Sequence, residues 1–121
     1  MALDKESKDV AYRLGRLFAV LEKAQKDVIP GASATIKDRF YGSASATPRT
    51  VFPQLLRLTQ HHIHKAEYGG YTDKLIEEIM EEIQELPAHL SLDEQGMFTI
   101  GYYHQRNSFF DKSKEQKEAL S

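Results

Sequence analysis

The side chains that could do chemistry in this sequence are basic residues, histidines and aromatic rings. The basic residues and histidines that stand out are Arg13, Arg16, Lys23, Arg39, Arg49, Arg57, His61, His64, Lys65 and Arg106. The rings are Tyr41, Tyr102, Tyr103 and Phe110. Basic side chains bind phosphates whatever the sequence of the strand, and any base has a face that stacks on a ring. The pattern therefore predicts sequence-independent binding of single-stranded nucleic acid.

Each part of this pattern also has a structural interpretation. Arg13, Arg16 and Lys23 share one flank of a predicted helix, where charged side chains are commonly just solvated. Each tyrosine, taken separately, fits a protein core or a protein interface as well as it fits a base. For the arginines as a set, we favour nucleic-acid binding.

The histidines His61, His62 and His64 suggest a metal hypothesis, because imidazoles three residues apart share a helix face and zinc accepts nitrogen ligands. No third ligand stands at a fixed spacing, since there is no H-E-x-x-H motif and no cysteine. We expect no metal and no cofactor, and we interpret these histidines as surface or phosphate-facing side chains. A metal-dependent nuclease built on them is the hypothesis that we rank last.

Motifs of other enzyme classes are missing from the sequence. There is no G-x-S-x-G turn, and residues 42–48 lack the second glycine and the lysine of a phosphate-binding loop. The paired carboxylates of residues 77–85 lie on the solvent-facing side of a predicted helix rather than in a pocket, so acid–base catalysis by them is not expected. We expect the protein not to be an enzyme.

Charge is divided unevenly along the chain, although the net charge is only −2. Residues 73–94 hold eight acids against Lys74 alone and carry −7, whereas residues 10–72 hold nine bases and four acids and carry +5. Such an asymmetry can orient a protein on an anionic partner, although an acidic helix face is often simply solvated.

Length and composition predict a single domain over residues 1–121, with a polar tail, 111–121, that frays. The absence of cysteine excludes disulfides, and the first residues lack the pattern of a signal peptide. No apolar run approaches the roughly 20 residues that span a bilayer. We expect a soluble, cytoplasmic protein.

Apolar residues recur at steps of three and four and predict an all-α fold, a compact bundle of about five helices. The first helix should run from about residue 10 to residue 26, capped by Ser7 or Asp4. Its inward stripe is Val10, Leu14, Leu17, Phe18, Leu21 and Ala24.

The second helix should be capped by Ser33 and ended by Gly42, because glycine accepts the backbone that often ends a helix. Residues 43–46 should then form a loop of small side chains.

Thr47 and Pro48 read as the cap and first position of the third helix, and Pro53 should kink it. Its predicted inward face is Leu55, Leu58, His62 and Ala66. The fourth helix should end at Pro87. Its predicted inward side is Leu75, Ile76, Ile79, Met80, Ile83 and Leu86.

Ser91 and Glu94 have the spacing of a capping box and predict a final helix from Leu92 to about residue 110. Gly96 and Gly101 weaken this helix by about 1 kcal/mol each relative to alanine, so we expect close packing at both. The predicted inward residues are Met97, Phe98, Ile100 and Tyr103.

Three blocks of the sequence resemble the C-terminal region of the large subunit of type I-C CRISPR effector complexes, the Csd-type Cascade protein. They are residues 14–22, 40–53 and 87–105, and they cover most of the stretch from 11 to 106. A chain that opens with methionine and matches only this region resembles the separate small subunit made from an internal translation start.

The resemblance implies a helical small subunit of a prokaryotic, cytoplasmic complex, present in more than one copy. Its partners would be the backbone and large subunits, further copies of itself, target DNA and guide RNA, with no membrane and no small-molecule substrate. It would bridge backbone subunits and hold the opened target DNA, especially the displaced non-target strand. The alternative is a purely structural spacer whose arginines pair with acidic patches on neighbouring subunits.

Overall fold

Five α-helices make up the computed structural model, which describes residues 3–28, 35–65 and 69–120. No strand occurs within those ranges, which confirms the prediction of an all-α bundle of about five helices. The helices are α1 (Val10–Val28), α2 (Ile36–Ala46), α3 (Pro48–Lys65), α4 (Gly69–Met80) and α5 (Leu92–Leu120).

Helix α1 lies at the centre and packs against each of the other four helices. Residues 11–22 are buried without a break, so α1 is enclosed on all sides rather than along the single predicted stripe. A helix that is covered all round must be apolar or must satisfy its polar side chains internally. This requirement falls on Arg13, Arg16 and Glu22, which are all buried.

Two glycines bring the backbones of α1 and α5 into direct contact. A methyl group on Gly15 would overlap the carbonyl oxygen of Phe98, and a methyl group on Gly101 would overlap the carbonyl oxygen of Tyr12. The close packing predicted at Gly101 is therefore confirmed. The same prediction is wrong for Gly96, which is exposed and whose added methyl would meet open space.

An aromatic cluster fills the space between α1, α2 and α5. The ring of Phe18 stands edge-on to those of Tyr41, Phe98 and Tyr102, with centroids 5.5 to 6.1 Å apart. The Tyr102 hydroxyl donates a hydrogen bond of 2.6 Å to Oε1 of Glu22. Burial raises the pKa of Tyr102 far above its ordinary value, and the bond to Glu22 raises it further.

Helix α2 begins and ends later than the sequence predicts. Thr35 is its N-cap and forms a capping box with Asp38, whereas the predicted cap, Ser33, lies outside the described residues. Gly42 does not end the helix, which continues through the small residues to Ala46. Ala44 and Ser45 are buried there, so the small side chains serve close packing inside a helix rather than a loop.

Helix α3 begins at Pro48 as predicted and contains Pro53. Its inward face differs from the prediction by about one position, because Thr59 is buried and Leu58 is exposed. The Thr59 hydroxyl is satisfied by donating to the carbonyl of Leu55 at 2.8 Å. The side chains of His62 and Ala66 lie outside the described residues.

Helix α4 ends at Met80, before the predicted end at Pro87. Arg13 explains this end, because Nη2 and Nε of its guanidinium bind the carbonyls of Glu78 and Ile79, both at 2.8 Å. Ile83 and Leu86, predicted as helical, pack against the core from an irregular segment instead.

Helix α5 starts with the predicted capping box, since Ser91 and Glu94 exchange hydrogen bonds of 2.9 and 3.1 Å. These bonds lower the pKa of Glu94. The helix continues past the predicted end to Leu120, and fraying of its tail stays a prediction. Ile100 and Tyr103, predicted to face inward, are exposed; Tyr102 is buried in their place.

The contacts at Gly15 and Gly101 predict that alanine destabilises the fold at these two positions, and Gly96 serves as the control. Gly15→Ala and Gly101→Ala should each lower the free energy of unfolding by about 1–3 kcal/mol, because backbone must move to admit the methyl group. Gly96→Ala should raise it by up to about 1 kcal/mol, because this position has space and alanine favours helix. Urea denaturation of the three variants measures the effect. Equal shifts at Gly15 and Gly96 would contradict the contact between α1 and α5.

Candidate nucleic-acid interface

The predicted phosphate ligands Arg13 and Arg16 lie in the interior, with only 4% and 3% of their surface exposed. Besides its bonds to α4, Arg13 donates from Nη1 to the carbonyl of Ser7 at 2.8 Å. Arg16 donates from Nε to Oε1 of the buried Gln105 at 3.0 Å. Burial lowers the pKa of Arg16, and the nearby charge of Arg13 lowers it further. Their assignment to the interface is corrected, because buried guanidinium groups cannot reach a phosphate.

Lys23 and Arg49 are exposed but are paired with acids of the same chain. Lys23 lies 3.1 Å from Asp27, and Nη2 of Arg49 lies 2.9 Å from Oε1 of Glu85. Arg49 also donates to the carbonyl of Leu86 at 3.0 Å. Exposed ion pairs are typically worth less than about 1 kcal/mol. Both cations therefore stay accessible, and binding of phosphate by Lys23 and Arg49 stays a prediction.

The outward side of α3 carries three of the predicted residues. Arg57, His61 and His64 are all exposed, and their spacing of four and three residues places them on one helix face. We call these three residues the α3 basic face. The side chain of Lys65 lies outside the described residues, so its predicted place on this face is not described.

A second group lies where α2 meets α5. Tyr103 and Phe110 are exposed on α5 with the half-buried Arg106 between them, and Lys37 approaches from α2. The Lys37 Nζ lies 5.5 Å from the centroid of the Tyr103 ring, and Cζ of Arg106 lies 5.5 Å from that of the Phe110 ring. We call Lys37, Tyr103, Arg106 and Phe110 the aromatic ridge.

The other rings predicted to stack on bases belong to the interior. Tyr102 is buried, and Tyr41 is half-buried with its hydroxyl donating to Oγ1 of Thr99 at 2.9 Å. Burial raises the pKa of Tyr41. For these two tyrosines the core interpretation is the one that fits their placement.

Lys37 is a member of the ridge that the sequence reasoning missed. Lys37 and Tyr41 are four residues apart and therefore lie on one side of α2. Because Tyr41 was already a candidate, this spacing could have identified Lys37 from the sequence. Arg39, which was predicted, is exposed and lies with its guanidinium 5.0 Å from the ring of the neighbouring Phe40.

Acidic residues dominate a different part of the surface. Helix α4 and the segment after it expose Glu77, Glu78, Glu81, Glu82 and Glu85. A cleft of about 300 Å³ lies beside them and is lined by three basic and four acidic residues: Lys5, Lys8, Arg13, Glu6, Glu78, Glu81 and Glu82. Mixed charge of this kind does not favour a phosphate, so the cleft is not part of the candidate interface.

No three potential ligands among His, Cys, Asp and Glu come together as a metal site in the described ranges. His61 and His64 are exposed, and the half-buried His104 has its Nδ1 2.7 Å from the Tyr12 hydroxyl instead. Within the same ranges, every helix is too short or too polar to cross a bilayer.

A family model described as CRISPR-associated protein (Cas_Csd1) matches residues 1–110 of the chain. The match spans α1 to α4 and reaches Phe110 in α5, so it includes both the α3 basic face and the aromatic ridge. No curated protein matches the chain.

The placement of the arginines predicts that the same substitution destabilises the fold at Arg13 and has little effect on stability at Arg57. Arg13→Met should lower the free energy of unfolding by about 2 kcal/mol or more, because two carbonyls at the end of α4 lose their donor. Arg57→Met should change it by less than about 0.5 kcal/mol, because the side chain is exposed. Thermal or urea unfolding compares the two, and equal costs would argue against an internal role for Arg13.

Proposed function

This chain belongs to the Cas_Csd1 family of CRISPR-associated proteins, and on that premise we propose that it is the small subunit of a type I-C Cascade complex. In this proposal the subunit has no catalytic role. It bridges backbone subunits and stabilises the R-loop by sequence-independent contacts to target DNA, chiefly the displaced non-target strand. It acts in the prokaryotic cytoplasm together with the large subunit, guide RNA and further copies of itself.

The observation that carries the proposal is the composition of α3. Its sequence contains no aspartate or glutamate, and its outward side presents Arg57, His61 and His64. A helix face that carries an arginine and two histidines, and no carboxylate of its own, suits a phosphate backbone. Base pairing with the guide reads the sequence in such complexes, so a subunit at this position needs only contacts to the backbone.

The distribution of the acids supports the same proposal. The exposed glutamates are concentrated on α4 and the segment that follows it, and one of them, Glu85, pairs with Arg49 in the first turn of α3, whereas Arg57, His61 and His64 lie further along that helix. An anionic strand is repelled from the acidic part and attracted to the basic part. The uneven charge would thereby orient the subunit on DNA within the complex.

A purely structural spacer is the second candidate. The exposed glutamates of α4 and of the segment after it favour this candidate, because a neighbouring copy of the chain would offer their carboxylates to exposed arginines. In a spacer, Arg57 would pair in the same way with acids of a neighbouring subunit.

Charge reversal on α3 separates the two candidates. In the reconstituted complex, Arg57→Glu together with His64→Glu should leave assembly intact and weaken target DNA binding by about tenfold or more, as expected for lost charge-assisted contacts. Lys74→Glu is the matched control, because it reverses an exposed charge on the acidic helix α4. Size-exclusion chromatography measures assembly, and a filter-binding titration measures DNA affinity.

Failure of the α3 variant to assemble, with normal assembly of the Lys74→Glu control, would support the spacer. Normal assembly with unchanged DNA affinity would contradict the proposed contact through α3.

A further inference from the structure

Two rings on α5 are exposed at the surface of the bundle. Tyr103 has 36% of its surface exposed and Phe110 has 59%, and Arg106 stands between them along the same helix face. At about 1.5 Å of rise per residue, the two rings lie roughly 10 Å apart along the helix. A ligand that contacts both rings would therefore also lie close to the guanidinium of Arg106.

A cation lies close to each ring. The ammonium of Lys37 is within 5.5 Å of the Tyr103 centroid and 5.2 Å of the Tyr102 centroid, and the Arg106 guanidinium is within 5.5 Å of the Phe110 centroid. These distances fall in the range of cation–π attraction. The aromatic ridge therefore combines two exposed aromatic side chains with two positively charged ones.

The Tyr103 ring has a firm support. Its centroid is 4.9 Å from that of Tyr102 in an edge-on arrangement, and the Tyr102 hydroxyl is held by Glu22 in the core. A partly exposed ring that is held in place by neighbouring side chains loses little conformational entropy when a flat partner stacks on it.

Unpaired nucleobases match this combination of features. Stacking would cover the exposed rings, while Lys37 and Arg106 would meet the phosphates on either side of the stacked base. The bases of a duplex are already stacked on one another, so their faces are not available to a protein ring. The chemistry of the ridge thus selects single strands.

We infer that the aromatic ridge, consisting of Lys37, Tyr103, Arg106 and Phe110, is a binding site for unpaired bases of a single-stranded nucleic acid. This inference rests on the proposed function for nucleic acid as the partner. It adds that the contact is made to bases of a single strand and is located on α5, apart from the phosphate contacts of α3.

Comparison of an oligothymidine strand with an abasic strand of the same length tests the inference, because the abasic strand keeps the phosphates and lacks the bases. Fluorescence anisotropy with the full chain at low salt should give tighter binding of oligothymidine. Tyr103→Ala should weaken binding of oligothymidine about fivefold or more and leave the abasic strand unaffected. Tyr103→Phe should retain binding, because it keeps the ring.

Two control variants test whether the weaker binding of oligothymidine is due to the loss of the Tyr103 ring. Tyr71→Ala removes a tyrosine that is 54% exposed on α4 and should leave both strands unaffected. Arg57→Glu should weaken both strands equally, because it removes a phosphate contact. An oligouridine arm determines whether the site prefers RNA or DNA.

The outcomes separate this inference from the proposed function. Equal affinity of the wild-type chain for both strands, or unchanged oligothymidine binding by Tyr103→Ala, would overturn base stacking while leaving phosphate binding by α3 in place. Absence of binding to either strand would also overturn the inference, and the complex with its α3 variant would then decide the proposed function separately.

Photocrosslinking provides a second readout that does not depend on affinity. A strand that contains 5-iodouracil reacts on irradiation with an aromatic ring stacked on the base. Peptide mass spectrometry should locate the adduct at Tyr103 or Phe110. Adducts confined to other tyrosines would overturn the assignment to the ridge.

Discussion

The contact between the backbones of α1 and α5 at Gly15 and Gly101 is the constraint on which the rest of the structure depends. Because no side chain separates the two helices there, α1 lies deep enough for the other helices to surround it. Its polar residues are then enclosed as well and need partners inside the molecule. Arg13 and Glu22 find theirs at the end of α4 and on Tyr102 of α5, so the central helix also fixes its neighbours.

The burial of α1 by the other four helices also determines which basic residues remain at the surface, where a partner could contact them. Burial withdraws Arg13 and Arg16 from the surface, whereas other cations lie on the α3 basic face, on the aromatic ridge or in exposed ion pairs. The α3 basic face offers donors for phosphates, and the ridge offers rings for bases. In the proposed function the subunit would hold a strand whose sequence is read by a guide, and contacts to phosphates and ring faces would be sufficient for that role.

Local sequence rules predict much of this structure and fail where a distant residue decides. The capping box of Ser91 follows from residues near in sequence, and that prediction is confirmed. The expectation of close packing at a helical glycine is confirmed at Gly101, which meets the distant Tyr12, and is wrong at Gly96. The end of α4 depends on Arg13, which lies far away in the chain, so the periodicity of α4 could not reveal it. The candidate interface differs from the set of residues predicted from the sequence for a similar reason. A flank of basic residues on α1 looks solvated until four other helices cover it, and Lys37 meets the ring of Tyr103 only when α2 packs against α5.

The central claim is that exposed cations of this subunit meet nucleic acid inside the complex. The most direct test is the affinity of the reconstituted complex for a target R-loop, measured with and without the subunit across a series of salt concentrations. If the subunit binds single-strand phosphates, its presence should tighten binding and steepen the log–log slope by about 0.7 for each phosphate that it neutralises. An unchanged affinity and slope, with better assembly of the complex alone, would contradict the claim and support a structural spacer.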